Sequence, residues 1–208
     1  MGKTKRQIQY GLAIILGMVL FAAAAYGARQ HHMQGWEVRL FDAIFHWSNG
    51  LRWFFLVLTQ FGSAASVLGA VLVSYLSGYR QLSWRLLLTG YSAYILVTLA
   101  KELVNRPRPF VLLSGIHERE LMVSGNGFPS GHTAVATALA LTLAPHLPKH
   151  WRWLPLAWIV GVGLSRIYLG VHAPLDIVGG FGIGLSVTAT LHFFVNTDKK
   201  LRKSPLKR

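Results

Sequence analysis

Three stretches of this chain carry residues that could do chemistry. The densest is Ser165-Arg166-Ile167-Tyr168-Leu169-Gly170-Val171-His172-Ala173-Pro174-Leu175-Asp176, at the seam between two apolar runs. Charge at the end of an apolar run is costly and usually marks a site. Pro174 suits the first turn of a new helix, where its missing N–H loses no bond. Asp176 then falls in that turn, four residues after His172. A carboxylate there can reach one ring nitrogen, fix the tautomer and leave the other nitrogen free to attack. The bland alternative is a helix end with an anchoring Arg, a stray His and a dipole-complementing Asp.

Two further stretches weigh against that alternative. Pro129-Ser130-Gly131-His132 precedes the apolar run from Thr133. Ser130 is a good N-cap, so the N–H groups after it point outward, free to bind an anion. Lys101-Glu102-Leu103-Val104-Asn105-Arg106-Pro107-Arg108-Pro109 closes another apolar run. Lys101 belongs to its last helical turn. The two prolines force the chain out of the helix, which puts Arg108 on extended backbone. Together the stretches supply Lys101, Arg108 and Arg166 as cations, an anion-binding helix start, His132 and His172, and the Asp176 carboxylate. Phosphoryl transfer needs that set: a nucleophile, an acid for the leaving group, and positive charge around the equatorial oxygens.

The pattern resembles the type 2 phosphatidic acid phosphatase (PAP2) superfamily. Its motifs are Lys-x6-Arg-Pro, Pro-Ser-Gly-His and Ser-Arg-x5-His-x3-Asp. They match here at Lys101–Pro109, Pro129–His132 and Ser165–Asp176, in order and without a gap. The resemblance implies a nucleophile at His172, oriented by Asp176, with a phosphohistidine intermediate. It implies a proton donor and water activator at His132. Lys101, Arg108, Arg166, the Ser130 hydroxyl and the Gly131 N–H would hold the phosphoryl oxygens. Those five groups can do the charge work that Mg²⁺ does in kinases, so neither metal nor cofactor is expected.

Bulk composition agrees. The chain has 208 residues, 52% hydrophobic and 13% charged, with a net charge of +14 and no cysteine. Thiol catalysis, disulfides and Cys-based metal sites are excluded. The positive charge does not form a nucleic-acid face. It clusters between long apolar runs, as in a membrane protein. About 20 residues cross a ~30 Å hydrocarbon core. The expected architecture is all-α and polytopic, one PAP2-like domain over residues 1–208. Six membrane helices are expected near 8–28, 53–79, 86–105, 131–147, 153–170 and 174–196, with an amphipathic interfacial segment near 35–48. A cleaved signal peptide is the rival for the first run, but its apolar part exceeds a usual h-region of ~7–15 residues. Arg80 and Arg85 read as brackets of a short turn. His31, His32, His46 and His117 read as surface residues, His192 as interfacial, and Glu118 and Glu120 as solvated loop carboxylates.

Six crossings put both termini on one side and all three motifs on the other. Thirteen Lys and Arg fall on the terminus side and eight on the motif side. The positive-inside rule then gives cytoplasmic termini and an outward-facing site. A site at the membrane surface points to a lipid phosphate with its tail in the bilayer. The resemblance narrows the candidates to undecaprenyl pyrophosphate, phosphatidylglycerophosphate and phosphatidic acid. The rival functions are a lipid-phosphate carrier without turnover and a haloperoxidase-like oxidation in a similar oxyanion cage.

Overall fold

The computed structural model describes residues 3–30, 32–120 and 123–197, and these residues contain helices and no strand. Helix α1 (Lys3–Ala28) is followed by a short helix α2 (Gly35–Phe45). Then come α3 (Arg52–Gln60), α4 (Ala64–Leu76) and the long α5 (Arg80–Val104). A four-residue turn, α6 (Pro109–Leu112), precedes α7 (Gly131–Leu143), α8 (Leu154–Tyr168) and α9 (Pro174–Thr197). The basic tail from Lys199, the side chain of Lys3, and His31 lie outside what is described.

Three segments are long and apolar enough to cross a bilayer: Lys5–Ala28, Arg80–Leu112 and Pro174–Val195. The pair Asn49–Gln60 and Ala64–Leu76 makes a fourth if its 58° bend is taken within one span. The single helix expected over 53–79 is therefore two. Ser63 breaks it by capping α4, its hydroxyl accepting the Ser66 N–H at 3.3 Å. Arg80 and Arg85 do not bracket a turn; they lie in the first turns of α5. The 13 residues of α7 and 15 of α8 fall short of the runs expected at 131–147 and 153–170. Helix α7 gives way to a 3-10 turn at Ala144–His146, with Pro145 inside it. Helix α8 stops at Gly170, whose φ of +77° is the left-handed conformation that closes helices and that glycine adopts without strain.

Lipid-facing and buried surfaces divide by element. Leu12, Ile15 and Met18 of α1, Leu72 and Val73 of α4, and Leu99 and Leu103 of α5 are all exposed. In water such stripes would be a large apolar patch, whereas in a bilayer they are the solvent contact. Helix α7 is the reverse, with every side chain from Thr133 to Ala140 buried. A helix that is apolar or small all round belongs in the interior. Here it packs on α5 and α9 through Ala93, Val97, Ala100, Ala134, Ala138 and Ile183. The approach of α9 is close enough that a Cβ at Gly180 would strike the Ser130 carbonyl oxygen. Small residues at helix contacts let backbones approach in this way in lipid. Thr89 and Thr142, 3.1 Å apart, satisfy each other between α5 and α7.

Helix α2 lies over the site end of the bundle. Its Phe41, Ile44 and Phe45 bury against Phe55, Ile167, Tyr168 and Leu169, while Trp36 and Leu40 stay exposed. That is the amphipathic division expected of an interfacial helix.

Candidate active site

Four helix ends meet at one end of the bundle: the end of α5, the start of α7, the end of α8 and the start of α9. Each end has a local cause. Asn105 takes a left-handed φ of 53° and terminates α5. Pro107 and Pro109 then hold Arg106 to Arg108 outside a helix. Ser130 caps α7 by accepting the Thr133 N–H at 3.4 Å. Backbone bonds tie the segments together. The Gly127 N–H donates to the Arg106 carbonyl at 2.7 Å, Ser130 N–H to the Asp176 carbonyl at 2.9 Å, and His172 N–H to the Arg166 carbonyl at 3.3 Å.

His172 and Asp176 form a buried pair, 2% and 0% exposed, with Nδ1 and Oδ2 3.2 Å apart. An ionised carboxylate can only accept, so Nδ1 carries the proton and Nε2 keeps its lone pair. The same Oδ2 accepts the Ala173 N–H at 2.8 Å, and Oδ1 accepts Arg106 Nη1 at 3.0 Å. Burial pushes the His172 pKa well below its ordinary 6.5. Arg108, Arg166 and Lys101 add to that push, and the Gly127 carbonyl opposes it. The imidazole is therefore neutral, the form a nucleophile requires.

The three expected cations surround this pair. Lys101 donates to the carbonyls of Asn126 and Gly127. Arg108 donates to the carbonyls of Gly125, Val171 and Ser124, each at 2.9 Å. Neutral carbonyls fix these side chains without cancelling their charge. Arg166 is held by Thr59 Oγ1 at 2.7 Å and Glu120 Oε2 at 2.8 Å, and its buried Nε has no protein partner. The Ser130 hydroxyl is fully buried and accepts Thr133 Oγ1–H at 3.1 Å, leaving its own proton to donate. Gly131 and His132 open α7, partly exposed, with His132 in the field of His172, Arg166, Arg108 and Lys101. All eight residues anticipated from sequence thus converge. The set can hold a tetrahedral anion against a neutral imidazole. Among the described residues no cluster of three or more His, Cys, Asp or Glu is arranged to hold a metal ion.

The site also contains residues that sequence reasoning passed over. Arg106 is fully buried, between Asp176 at 3.0 Å and Glu37 of α2 at 2.8 Å. Glu120 is not a solvated loop carboxylate; it pairs with Arg166 and its side chain is 16% exposed. The reason is Arg119, whose guanidinium lies 4.2 Å from the Phe45 ring centroid and 4.5 Å from that of Tyr168. Arg119 also donates to the Phe45 and Tyr168 carbonyls at 2.7 and 3.0 Å, which draws the loop onto α8. His192 is buried, edge-on to the Tyr10 ring at 5.5 Å. His32, His46 and His117 are exposed, as expected.

The PAP2 superfamily model matches residues 82–200, more than half of the chain. The chain belongs to the PAP2 superfamily. This PAP2 chain is 32% identical over 106 residues to undecaprenyl-diphosphatase of Sulfolobus acidocaldarius, covering 50% of the chain and 51% of that protein. It is 35% identical over 114 residues to phosphatidylglycerophosphatase B of Bacillus subtilis, covering 50% and 53%. It thus spans about half the length of the curated relatives it matches. The crystal structure of Aquifex aeolicus LpxE superposes with a TM-score of 0.67 at 26% identity, covering 77% of this chain and 93% of that one. The transmembrane PAP2-type phosphatidylglycerolphosphate phosphatase of Bacillus subtilis superposes at 0.65 over 95% of this chain and 98% of its own; at 24% identity that likeness is one of fold.

The depressed His172 pKa gives a direct expectation. In ¹⁵N-labelled protein, with the ring signals assigned by their loss in His172→Ala, the imidazole stays neutral through pH 6.5 and titrates well below it. A midpoint at or above 6.5 would contradict the electrostatics described.

Proposed function

We propose that this chain is an integral membrane lipid phosphatase that works through a phosphohistidine. One observation carries the reading: a buried His172 hydrogen-bonded to Asp176 among Lys101, Arg108 and Arg166, where long apolar helices end. His172 Nε2 attacks phosphorus in line, forming the N–P bond as the P–O bond to the lipid breaks. His132 gives its proton to the departing oxygen. The same His132 then takes a proton from water, which attacks phosphorus, releases phosphate and frees His172. Lys101, Arg108, Arg166, the Ser130 hydroxyl and the Gly131 N–H hold the equatorial oxygens as charge spreads onto them. A carrier that only binds lipid phosphates would need the cations but not an oriented nucleophile.

The substrate is a lipid phosphate or pyrophosphate. Undecaprenyl pyrophosphate, phosphatidylglycerophosphate and phosphatidic acid are the candidates, and two of the similar proteins are named for the first two. In this reading α7, enclosed by its neighbours, and α8, with Leu156 and Val160 exposed on one face, also cross as short helices, which makes six crossings. The packing of α1 supports the topology. Its Gly27 end lies against Leu175 at the start of α9, and its Tyr10 end against His192. The Tyr10 end of α1 and the His192 end of α9 then lie away from the site, and by sequence thirteen of the Lys and Arg belong to that side. The positive-inside rule gives that side to the cytoplasm and opens the site outward.

Purified protein in detergent, given each of the three lipids, is expected to release phosphate from at least one, with EDTA present throughout. His172→Ala is expected to lose that activity by about three orders of magnitude or more, the scale of removing a nucleophile. No release from any lipid, or release that needs added Mg²⁺, would overturn the mechanism. Sidedness has its own test in this cysteine-free protein. A membrane-impermeant thiol reagent applied to intact cells is expected to label Ser114→Cys and spare Ser77→Cys. The reverse pattern would invert the topology and remove access to an exported lipid carrier.

A further inference from the structure

Glu37 is the least expected charge in the protein. It sits in the first turn of α2 and is fully buried. It closes a capping box, with Oε2 accepting the Gln34 N–H at 3.2 Å. Capping alone does not explain the burial. A helix cap stabilises only modestly, whereas taking a carboxylate out of water costs far more. An exposed capping residue would do the same work without that cost.

Its other contacts supply the reason. Oε2 also accepts Arg106 Nη2 at 2.8 Å, and Oε1 accepts Arg106 Nη1 at 3.2 Å. Oε1 further accepts the Leu175 N–H at 3.2 Å, an otherwise orphaned donor in the first turn of α9. Glu37 therefore takes the guanidinium as a two-pronged fork, the strong geometry for an arginine and a carboxylate. The outer hydrogen of Nη2 goes to the His32 carbonyl at 3.2 Å. Nη1 is the nitrogen that meets Asp176, at Oδ1 alone and 3.0 Å, while the buried Nε makes no hydrogen bond. Asp176 Oδ2 is thereby kept for His172 Nδ1 and the Ala173 N–H.

We infer that Glu37, acting through Arg106, is a positioning residue that reserves Asp176 Oδ2 for His172 and so sets the orientation of the imidazole. Without the Glu37 fork, Arg106 is free to take Asp176 bidentately, the mode it prefers, and to compete with His172 for Oδ2. The Leu175 contact adds a second hold, on the turn of α9 that carries Asp176. The relay thus runs from a helix on the bundle end, across Arg106, to the ring. It rests on reading His172 as the nucleophile.

A double-mutant cycle tests it. Glu37→Gln keeps the size and one acceptor but loses the fork. It is expected to lower kcat by roughly 10- to 100-fold, the range for members of one hydrogen-bonded network, with KM within about twofold. In an Asp176→Asn background the same substitution is expected to change kcat by less than about threefold, because the residue it acts on is already disabled. Phe41→Leu, on the same buried face of α2, serves as the packing control: its effect is expected to be equal in both backgrounds. If Glu37→Gln is not recovered folded, Arg106→Lys, which keeps the charge without the fork, enters the same cycle. An equal loss in both backgrounds, or a rise in KM with kcat unchanged, overturns the relay.

A second readout does not need turnover. The downfield proton resonance of His172 Nδ1–H, assigned by its loss in His172→Ala, is expected in the parent protein and shifted upfield or lost in Glu37→Gln. An unchanged resonance overturns the relay, and it decides the matter where Asp176→Asn leaves too little turnover to measure. Absence of phosphate release from the parent protein would refute the phosphatase reading instead, with the resonance still reporting on Glu37.

Discussion

The structure depends on one fully buried carboxylate. Asp176 is fully buried, and its two oxygens are divided between Arg106 on one side and His172 and the Ala173 N–H on the other. Removing one partner of such a buried ion pair typically destabilises by about 3–5 kcal/mol, because the other charge is stranded. The pairing constrains distant parts of the chain. Arg106 must leave α5 on extended backbone, which the Arg-Pro-Arg-Pro sequence enforces. Helix α2 must fold back over the bundle end to deliver Glu37. The start of α9 must lie against the start of α7, which the absence of a side chain at Gly180 permits.

The same arrangement concentrates positive charge. Lys101 and Arg108 are held by backbone carbonyls, which orient them without neutralising them. Arg166 has one carboxylate partner and one buried nitrogen without a protein acceptor. Three cations so close repel one another, and an anion held among them would relieve that repulsion. Burial pushes the His172 pKa well below its ordinary value, and their field adds to that push. In the proposed mechanism, anion binding and activation of His172 draw on the same preorganised cations.

Much of the site was legible in sequence because charge interrupts apolar runs at so few places. Lys101, Arg108, Ser130, Gly131, His132, Arg166, His172 and Asp176 all stand at such interruptions, and all meet at one end of the bundle. Glu37 was not legible. It sits 69 residues from Arg106 on a helix whose other residues read as interfacial, and only the fold joins them. Glu120 was hidden for a similar reason: its neighbour Arg119 reaches across to Phe45 and Tyr168, contacts that no local pattern signals. Apolar runs gave helix positions better than helix ends. The 53–79 run is uncharged throughout, so the break at Ser63 left no mark in hydropathy. The 131–147 run stays apolar past Leu143, although the helix stops there and a 3-10 turn takes over. The packing of His192 against Tyr10 was likewise illegible, since 182 residues separate them in sequence.

The central claim is that His172 takes the phosphoryl group onto its own nitrogen. Rapid quenching in base of protein turning over a ³²P-labelled lipid phosphate tests it most directly, because phosphohistidine is acid-labile and survives alkali. The account predicts label bound to the protein, located to His172 by peptide mass spectrometry and absent in His172→Ala. It also predicts more label in His132→Ala when the leaving group needs no proton, since release of the intermediate is then slowed. Multiple turnover with no protein-bound label under any quench, or label on another residue, would contradict it.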